Sequence, residues 1–384
     1  MEEIVCKAKG LSMRLTLVIG SLGAGGAERV LSTLANFWAA RGDQVSLVTL
    51  ASVEEDFFAL DRRVERVGLN LTNDSTSSLE ALHANVQRIR SLRSTIADSH
   101  PEVVLSFVDR MNVLVLLATA GLGCPVVVSE RADPRQHDPG RVWALARRLV
   151  YRWASGLVVQ NEAIAGWARS RVPLSRIHIV QNPIKLRTCG SAIPDRSSDP
   201  RIVAVGRLEH EKAFDVLLDA FAQVAAELPE WTMQLIGHGP ERDALVDQAA
   251  RYGLTQRVTF SGRQRDPWAG IGPADLFVLP SRYEGEPNAL LEAMAGGVPA
   301  IASDACGLLE HEVTGLVVPV DDPSALAAAI LRLAHDRTLA ARLAENARRS
   351  LEGRSLDEIS KRWDAVFASI GVGLPPGYST SSIT

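Results

Sequence analysis

The residues with the clearest chemical potential are two acids, Glu284 and Glu292, in the stretch LFVLPSRYEGEPNALLEAMAGGVPAIAS. The segment carrying Glu292 is otherwise Ala, Leu, Leu, Ala, Met and Ala. Most of the surface of such a helix is expected to be buried, where an unpaired carboxylate is costly. A partly exposed glutamate on a small-residue helix is the plain alternative. The functional reading is a carboxylate at the carboxyl ends of the strands, where open α/β sheets take their ligands. Glu284 lies upstream in a polar loop with Gly285 and Glu286. Pro287, Asn288, Ala289 and Leu290 then open the helix, and its first N–H groups suit a phosphate. One short unit therefore offers two carboxylates for hydroxyls and a cradle for an anion.

Positioning these groups requires a strand before the loop and another after the helix. Residues 276–279 are an apolar run that Pro280 and Ser281 end. Pro287 fits the start of a helix, where its missing N–H is no loss. The helix runs over 288–295, Gly296 and Gly297 stop it, and a strand resumes over 298–302. Strand, loop, helix, strand is the unit of a parallel α/β sheet. A second such unit begins at 202–205 and continues Gly206-Arg207-Leu208-Glu209-His210-Glu211-Lys212 before a helix over 213–228. Arg207 and Lys212 either are surface charges or sit where a diphosphate would lie. The strand over 231–236 ends in Gly237-His238-Gly239-Pro240, and the strand over 258–260 in Ser261-Gly262-Arg263. His238, alone in a turn, reads as structural.

The first half opens in the same way. A strand over 14–20 leads to Ser21-Leu22-Gly23-Ala24-Gly25-Gly26 and a helix over 27–40, then a strand over 45–50. A tight turn needs one or two glycines; three within four residues fit close approach of backbone to a ligand. The dinucleotide fingerprint is not met, because Glu28 stands where its third glycine belongs. The second strand also ends without the acid that holds a ribose, so a nicotinamide cofactor is a poor reading. Glu28 also suits the positive end of the helix dipole. An amphipathic helix is expected over 79–96, with Leu82, Val86, Ile89 and Leu92 or Arg93 in register. Strands over 103–107 and 126–129 end beside Asp109 and Asn112, and beside Ser129, Glu130 and Arg131. These five are expected to line a cleft. In GRVWALARRLVYRW, residues 140–153, Arg141, Arg148 and Arg152 fall within about 40° of one another on a helix. Trp143, Leu149, Val150 and Trp153 supply apolar surface. A solvated basic face is one reading. A patch for anionic lipid headgroups or a lipid diphosphate is the other, since arginine forks fit phosphate oxygens.

Glu-x7-Glu within S-x-x-E-G-x-x-x-x-x-x-E-A-M-A-x-G-x-P, with G-G-A-E-R at 25–29 and G-R-L-x-x-x-K at 206–212, resembles retaining glycosyltransferase family 4. The resemblance covers about residues 13–370. It implies the GT-B fold, two Rossmann-like α/β domains with parallel sheets facing an interdomain cleft. It also implies transfer of a hexose or N-acetylhexosamine from a nucleoside-diphosphate sugar, UDP above all, without an obligatory metal. Glu284 would hold sugar hydroxyls and Glu292 the ribose. Arg207 and Lys212 would neutralise the leaving diphosphate, a form of transition-state stabilisation. Gly25 and Gly26 would lie beneath the diphosphate. Gly206, Gly237, Gly239, Arg263, Gly285, Glu286, Pro287, Asn288, Ala289 and Leu290 would complete the donor side. Glu28, Asp109, Asn112, Ser129, Glu130, Arg131, Arg141, Arg148 and Arg152 would form the acceptor side. S-F-x-D-x-x-N, then P-x-x-x-S-E, then a basic helix is similar to the subgroup that extends lipid-linked oligosaccharides in bacterial protein glycosylation. Its members transfer N-acetylgalactosamine, which implies a glycan or polyprenyl-diphosphate-linked glycan as acceptor.

The chain departs from that pattern at four places. Arg131 replaces a histidine, and Glu286 a hydrophobic residue. Residues 305–309 form a shortened loop, and Ala213 stands in for glycine, a change expected to be neutral. A nucleotide-sugar epimerase of the same fold and a non-catalytic nucleotide- or glycan-binding subunit are the rival readings.

Composition sets the outer bounds. A chain of 384 residues, 46% hydrophobic, suffices for two cores. The expected division is 13–183, a linker at 184–200, 201–354, a helix at 355–370 returning to the first domain, and a disordered tail at 371–384, with 1–12 a short extension. A net charge of −4 gives no drive toward nucleic acid. Cys6, Cys124, Cys189 and Cys306 are scattered, without metal or disulfide spacing, which favours a reducing cytosol. No apolar run reaches spanning length. The expected location is cytoplasmic, peripheral on the inner membrane's cytoplasmic face.

Overall fold

The computed structural model describes residues 12–72, 77–136, 139–184, 200–266 and 268–373. The expected extension before residue 12, nearly all of the linker and the tail from 374 lie outside them. The chain divides into two compact units: residues up to Asn182 together with those from Leu356 onward, and Pro183–Ser355.

The first unit is built from β1 (Arg14–Ile19), α1 (Gly26–Arg41), β2 (Gln44–Thr49), β3 (Glu65–Gly68), α2 (Ser78–Asp98), β4 (Val103–Phe107), α3 (Asp109–Thr119), β5 (Val126–Ser129), α4 (Arg141–Val150), β6 (Gly156–Val159), α5 (Glu162–Ala168) and β7 (Ile177–Ile179). Its seven strands are ordered β3-β2-β1-β4-β5-β6-β7, and every pairing is parallel. Helices cover both faces, so central strands lose their alternation. All five residues of β4 are buried. Sequence periodicity found nearly every element but missed β3, whose ERVG is too short and polar to register.

The second unit holds β8 (Arg201–Val205), α6 (Phe214–Val224), β9 (Thr232–Ile236), α7 (Arg242–Arg251), β10 (Val258–Phe260), α8 (Trp268–Ile271), β11 (Leu276–Leu279), α9 (Asn288–Ala295), β12 (Ala300–Ser303), β13 (Leu316–Val318), α10 (Pro323–His335) and α11 (Arg337–Arg349). The strand order is β10-β9-β8-β11-β12-β13, again all parallel. The stretch after 323 forms two helices. Asp336 separates them, with its side chain accepting from the Leu339 N–H as an N-cap. α9 stops where Gly297 takes φ +66°, a left-handed geometry that costs glycine nothing.

In each sheet the order reverses beside the first strand of the unit. β1 lies between β2 and β4, and β8 between β9 and β11. Loops leaving such a pair diverge to opposite faces and open a crevice at the strand ends. The segments rich in chemistry follow these strands: 20–26 after β1, 108–112 after β4, 206–212 after β8 and 280–288 after β11.

One local expectation is overturned. Ala213 adopts φ +51°, ψ +37°, so alanine in place of glycine is not neutral. A Cβ in the left-handed region costs roughly 1–2 kcal/mol.

The last helix, α12 (Leu356–Ser369), belongs to the first unit. Its Ile359, Trp363, Val366 and Phe367 enter the same core as β1, β4 and α1. Trp363 lies 6.0 Å from the Phe107 ring, stacked, and 6.3 Å edge-on from Trp38. Trp363→Ala should destabilise the first unit by about 3–5 kcal/mol, the range for deleting a large buried aromatic. Chemical denaturation followed by fluorescence measures it; a loss under about 1 kcal/mol would show that α12 is not part of this core.

Candidate active site

On the second unit, the loop after β8 brings Lys212 Nζ to 2.6 Å from Glu284 Oε1 in the loop after β11. The contact joins residues 72 apart in sequence. The pairing of β8 with β11 makes it possible, with Ile202 beside Leu276 and Val203 beside Phe277. Ser281 Oγ donates to the same carboxylate oxygen at 2.8 Å. Both charged groups are largely withdrawn from water. An ammonium has three donors, so Lys212 can serve Glu284 and still meet an anion.

Arg207 is exposed at the start of the same loop, held by Glu209 at 3.0 Å and by Glu211. Glu211 also accepts from Tyr283 Oη at 2.8 Å. Burial, followed by that carboxylate, pushes the Tyr283 phenol up to about 12. Arg282, which the sequence reading did not single out, ties the two loops together. Its N–H donates to the Glu211 carbonyl at 2.8 Å, and its guanidinium reaches Asp215 at 2.8 Å and Asp321 at 2.8 Å. The arginine of R-Y-E-G thus braces the two loops.

The glycines of this unit have steric duties. A Cβ on Gly206 would meet the Lys212 stem at 3.2 Å, so its absence lets Lys212 lie across the loop. A Cβ on Gly237 would fall 1.7 Å from the Gly206 carbonyl oxygen, and one on Gly239 2.2 Å from that of Leu208. Both were expected beside the donor. They are required first by packing of the β9 turn against the β8 loop, sealed by Leu208 N–H to the His238 carbonyl at 3.0 Å. His238 and Arg263 are exposed.

α9 starts where expected, with Pro287 at the N-cap. The Leu290 side chain is in the core, so Leu290 can offer a ligand only its backbone. Asn288, Ala289 and Glu292 are half-buried and Gly285 is buried. Glu286 has a partner outside the motif. Its carboxylate lies 2.5 Å from Arg354 Nη1.

On the first unit, Gly25 caps α1, and a Cβ there would fall 2.0 Å from Glu28 Oε2. The Glu28 carboxylate is therefore folded back over the glycine loop. The cleft-lining residues need correction. Asp109, Asn112, Ser129 and Glu130 are all buried, and they face inward because they bond one another's elements. Asn112 Nδ2 donates to the Ser129 carbonyl at 3.0 Å and to Tyr151 Oη at 3.1 Å. Tyr151 Oη donates to Glu130 Oε1 at 2.5 Å. Arg147 Nη1 lies 3.5 Å from Glu130 and 4.0 Å from Asp109, with its guanidinium 4.8 Å over the Trp167 ring. Burial lifts the Glu130 carboxyl to about 7; Arg147 and the Tyr151 hydrogen bond oppose this, and Asp109 adds to it. Val108, just before, holds φ +75°, an outlier for a β-branched residue. Nothing in its sequence context signals that. Only Arg131 of this group is half-exposed. It lies 4.4 Å over the Phe107 ring and donates to Asn182.

α4 displays Arg141 and Arg148, with Arg152 on the following turn, all exposed. Its apolar residues divide differently from expectation. Val150 is buried and Trp143 half-buried beneath Arg110. Val142, Leu145, Leu149 and Trp153 are exposed, Val142 by 78%. On the helical wheel Leu145, Leu149 and Val142 occupy the sector roughly 40–100° round from Arg141, directly beside the arginine stripe. Leu79 and Leu82 of α2 are exposed as well, whereas Leu82 was expected to face the core.

The chain matches two family models, Glycosyltransferase Family 4 over residues 24–188 and Glycosyl transferases group 1 over residues 192–350. A Campylobacter jejuni α-1,4-N-acetyl-D-galactosaminyltransferase, whose named acceptor is a diNAcBac-PP-undecaprenol carrying two GalNAc residues, is 26% identical over 93% of this chain and 99% of its own length. The Rhizobium meliloti lipopolysaccharide core glycosyltransferase LpsE is 33% identical over 40% of this chain and 45% of its own. Among solved structures, Anabaena HepE with UDP and glucose superposes with a TM-score of 0.74 at 20% identity, covering 93% of this chain and 100% of that one. Thermosynechococcus elongatus sucrose-phosphate synthase gives 0.79 at 19% identity, covering 93% and 98%. At such identities these likenesses establish the fold, and the fold is GT-B.

The raised carboxyl of Glu130 predicts a pH-dependent stability. Its folded value, about 7 against 4.5 in the reference state, means that its contribution is fully present below pH 4.5 and is lost as pH rises toward 7. Glu130→Gln should abolish that loss, which is on the order of a few kcal/mol. Denaturation midpoints of both proteins from pH 4.5 to 8 test this. Parallel curves would show that Glu130 is ionised throughout.

Proposed function

Because the chain belongs to glycosyltransferase family 4, we propose that it is a retaining enzyme that transfers a hexose or N-acetylhexosamine from a UDP-sugar to a glycan on a polyprenyl diphosphate. The Lys212–Glu284 contact at the β8/β11 reversal carries the reading. On this reading a carboxylate for sugar hydroxyls lies against a cation for the diphosphate, with Arg207 on the loop that carries Lys212 and α9 following the loop that carries Glu284. Arg207 and Lys212 neutralise charge that develops on the leaving nucleotide. Glu284 fixes the sugar, with its own charge held by Lys212 and Ser281. Glu292 takes the ribose hydroxyls. A diphosphate oxygen receives the acceptor's proton on the face from which the nucleotide leaves, which preserves the anomeric configuration. The two glutamates are therefore not the acid and nucleophile of a glycosidase. Charge compensation by Arg207, Lys212 and helix N–H groups makes a metal unnecessary. The Campylobacter relative's named substrate supports the lipid-linked acceptor.

Lys212→Ala and Arg207→Ala should each lower kcat by about 2–4 kcal/mol of transition-state stabilisation. Glu292→Gln should instead weaken UDP binding by roughly 1.5–3 kcal/mol. Kinetics with added chelator and calorimetry with UDP read the two effects. Near-wild-type turnover in both cation variants, or activity abolished by chelator and restored by divalent metal, would contradict the assignment.

No described helix is long and apolar enough to cross a membrane, and on this reading a lipid-linked acceptor is met at the protein surface. α4 suits this: its apolar ridge enters the headgroup boundary while Arg141, Arg148 and Arg152 meet anionic lipid. On this reading the protein works peripherally on the cytoplasmic face. Each arginine contributes on the order of 1 kcal/mol near an anionic leaflet. Replacing the three with Gln should release the protein from anionic liposomes and raise KM for lipid-linked acceptor, with donor KM unchanged. Leu145→Ser/Leu149→Ser should release it at high salt too, where charges are screened. Flotation equal to wild type in both variants would reduce α4 to a solvated basic face.

A further inference from the structure

Glu286 stands one residue before the Pro287 that caps α9 and two after Glu284. Its side chain is only 6% exposed and lies 2.5 Å from Arg354, itself 17% exposed. A charge so withdrawn is stable only while its partner stays. Arg354 lies outside the motif, at the end of the second unit, where the chain is about to return to the first. The other passage between the units is at Pro183, and the two passages are bonded within the second unit. Ile184 N–H donates to the Arg354 carbonyl at 2.9 Å, and Ile184 forms a parallel bridge with Ser355. The side chains of Ile184 and Leu351 share one core cluster with Leu290, Leu291 and Met294 of α9.

We infer that Arg354 is a positioning residue for the donor sugar: through Glu286 it fixes the loop that carries Glu284, and couples that loop to the paired crossover segments. This rests on the donor-site reading above. Backbone carbonyl and side chain of one residue serve the two sides. The carbonyl holds the crossover pair, and the guanidinium holds the loop. A shift of the crossover at 354 therefore moves the anchor of Glu286, and with it the register of Glu284 against Lys212. Arg354 then acts through the Glu286 carboxylate, which is its anchor in the loop and not a ligand of the sugar.

The coupling separates recognition of the sugar from recognition of the nucleotide, which depends on Arg207, Lys212 and Glu292. The test uses the full-length protein as wild type, Arg354→Lys, Arg354→Met and the neutral pair Glu286→Gln/Arg354→Met. Calorimetry with UDP, UDP-N-acetylgalactosamine and UDP-glucose is combined with thermal melting and donor kinetics. Arg354→Met should lose about tenfold in affinity for the sugar nucleotide that wild type prefers, the equivalent of one hydrogen bond. Its affinity for UDP should stay within about threefold. Arg354→Lys should recover most of the loss. The neutral pair leaves no charge stranded, so it should melt near wild type yet keep the sugar-selective defect; it decides the matter if Arg354→Met does not fold. Equal losses for UDP and sugar nucleotide, or a neutral pair that regains sugar affinity, would overturn the inference. A wild type that binds none of the three nucleotides would overturn the donor-site reading itself, whereas binding by wild type with unaltered variants would overturn only the role of Arg354.

Discussion

The contact on which the second unit's site depends is the ion pair of Lys212 with Glu284. Lys212 ends a single 3-10 turn, His210–Lys212, and Glu284 lies in a loop. Each hangs from a loop whose ends are set by adjacent parallel strands, β8 and β11, and by the helices that follow. The pair is largely shielded from water, so separating it would leave a costly charge behind. The supports follow from that cost. Gly206 clears the path for the Lys212 stem, Ser281 shares the carboxylate, and Arg282 locks the loops to each other through the Glu211 carbonyl and Asp215. Alignment of one cation with one anion is what turns two surface loops into a site of defined geometry.

The first unit solves a different problem with similar means. Its strand ends carry Asp109 and Glu130 inward, two acids facing one arginine. Two carboxylates and one guanidinium leave an excess negative charge in a buried place. Burial above all raises the Glu130 carboxyl, and the Asp109 charge adds to it, which favours the neutral acid that needs no second cation. Tyr151 and Asn112 complete the hydrogen bonding, which fixes β5, α3 and the turn after α4 to one another.

Much of this was legible in the sequence. Apolar runs gave β4, β5 and β11 to the residue, because parallel strands buried on both faces leave a continuous signal. G-R-L-x-x-x-K and Glu-x7-Glu pointed to Arg207, Lys212, Glu284 and Glu292, because their spacing is measured from strand ends. Side-chain direction was less legible. Asp109, Asn112, Ser129 and Glu130 follow strand ends as predicted, yet point into the protein, and no local pattern distinguishes the two directions. Arg282 and Arg354 escaped notice because their partners lie 67 and 68 residues away. Ala213 and Val108 hold positive φ against their residue type, a cost imposed by tertiary structure.

The division of α4 shows why such buried charges persist. Turning the helix about its axis to bury Leu145 and Leu149 would gain about 1.5–3 kcal/mol for each. The same turn would expose Val150 and more of Trp143, so the apolar exchange nearly cancels. It would also carry Arg147 away from Glu130 and Asp109. Stranding a buried partner in this way costs about 3–5 kcal/mol. The charge term therefore decides the rotation. Arg147 pins the helix with its arginine stripe and apolar ridge outward, and the exposed ridge is a consequence of the buried ion network beneath it.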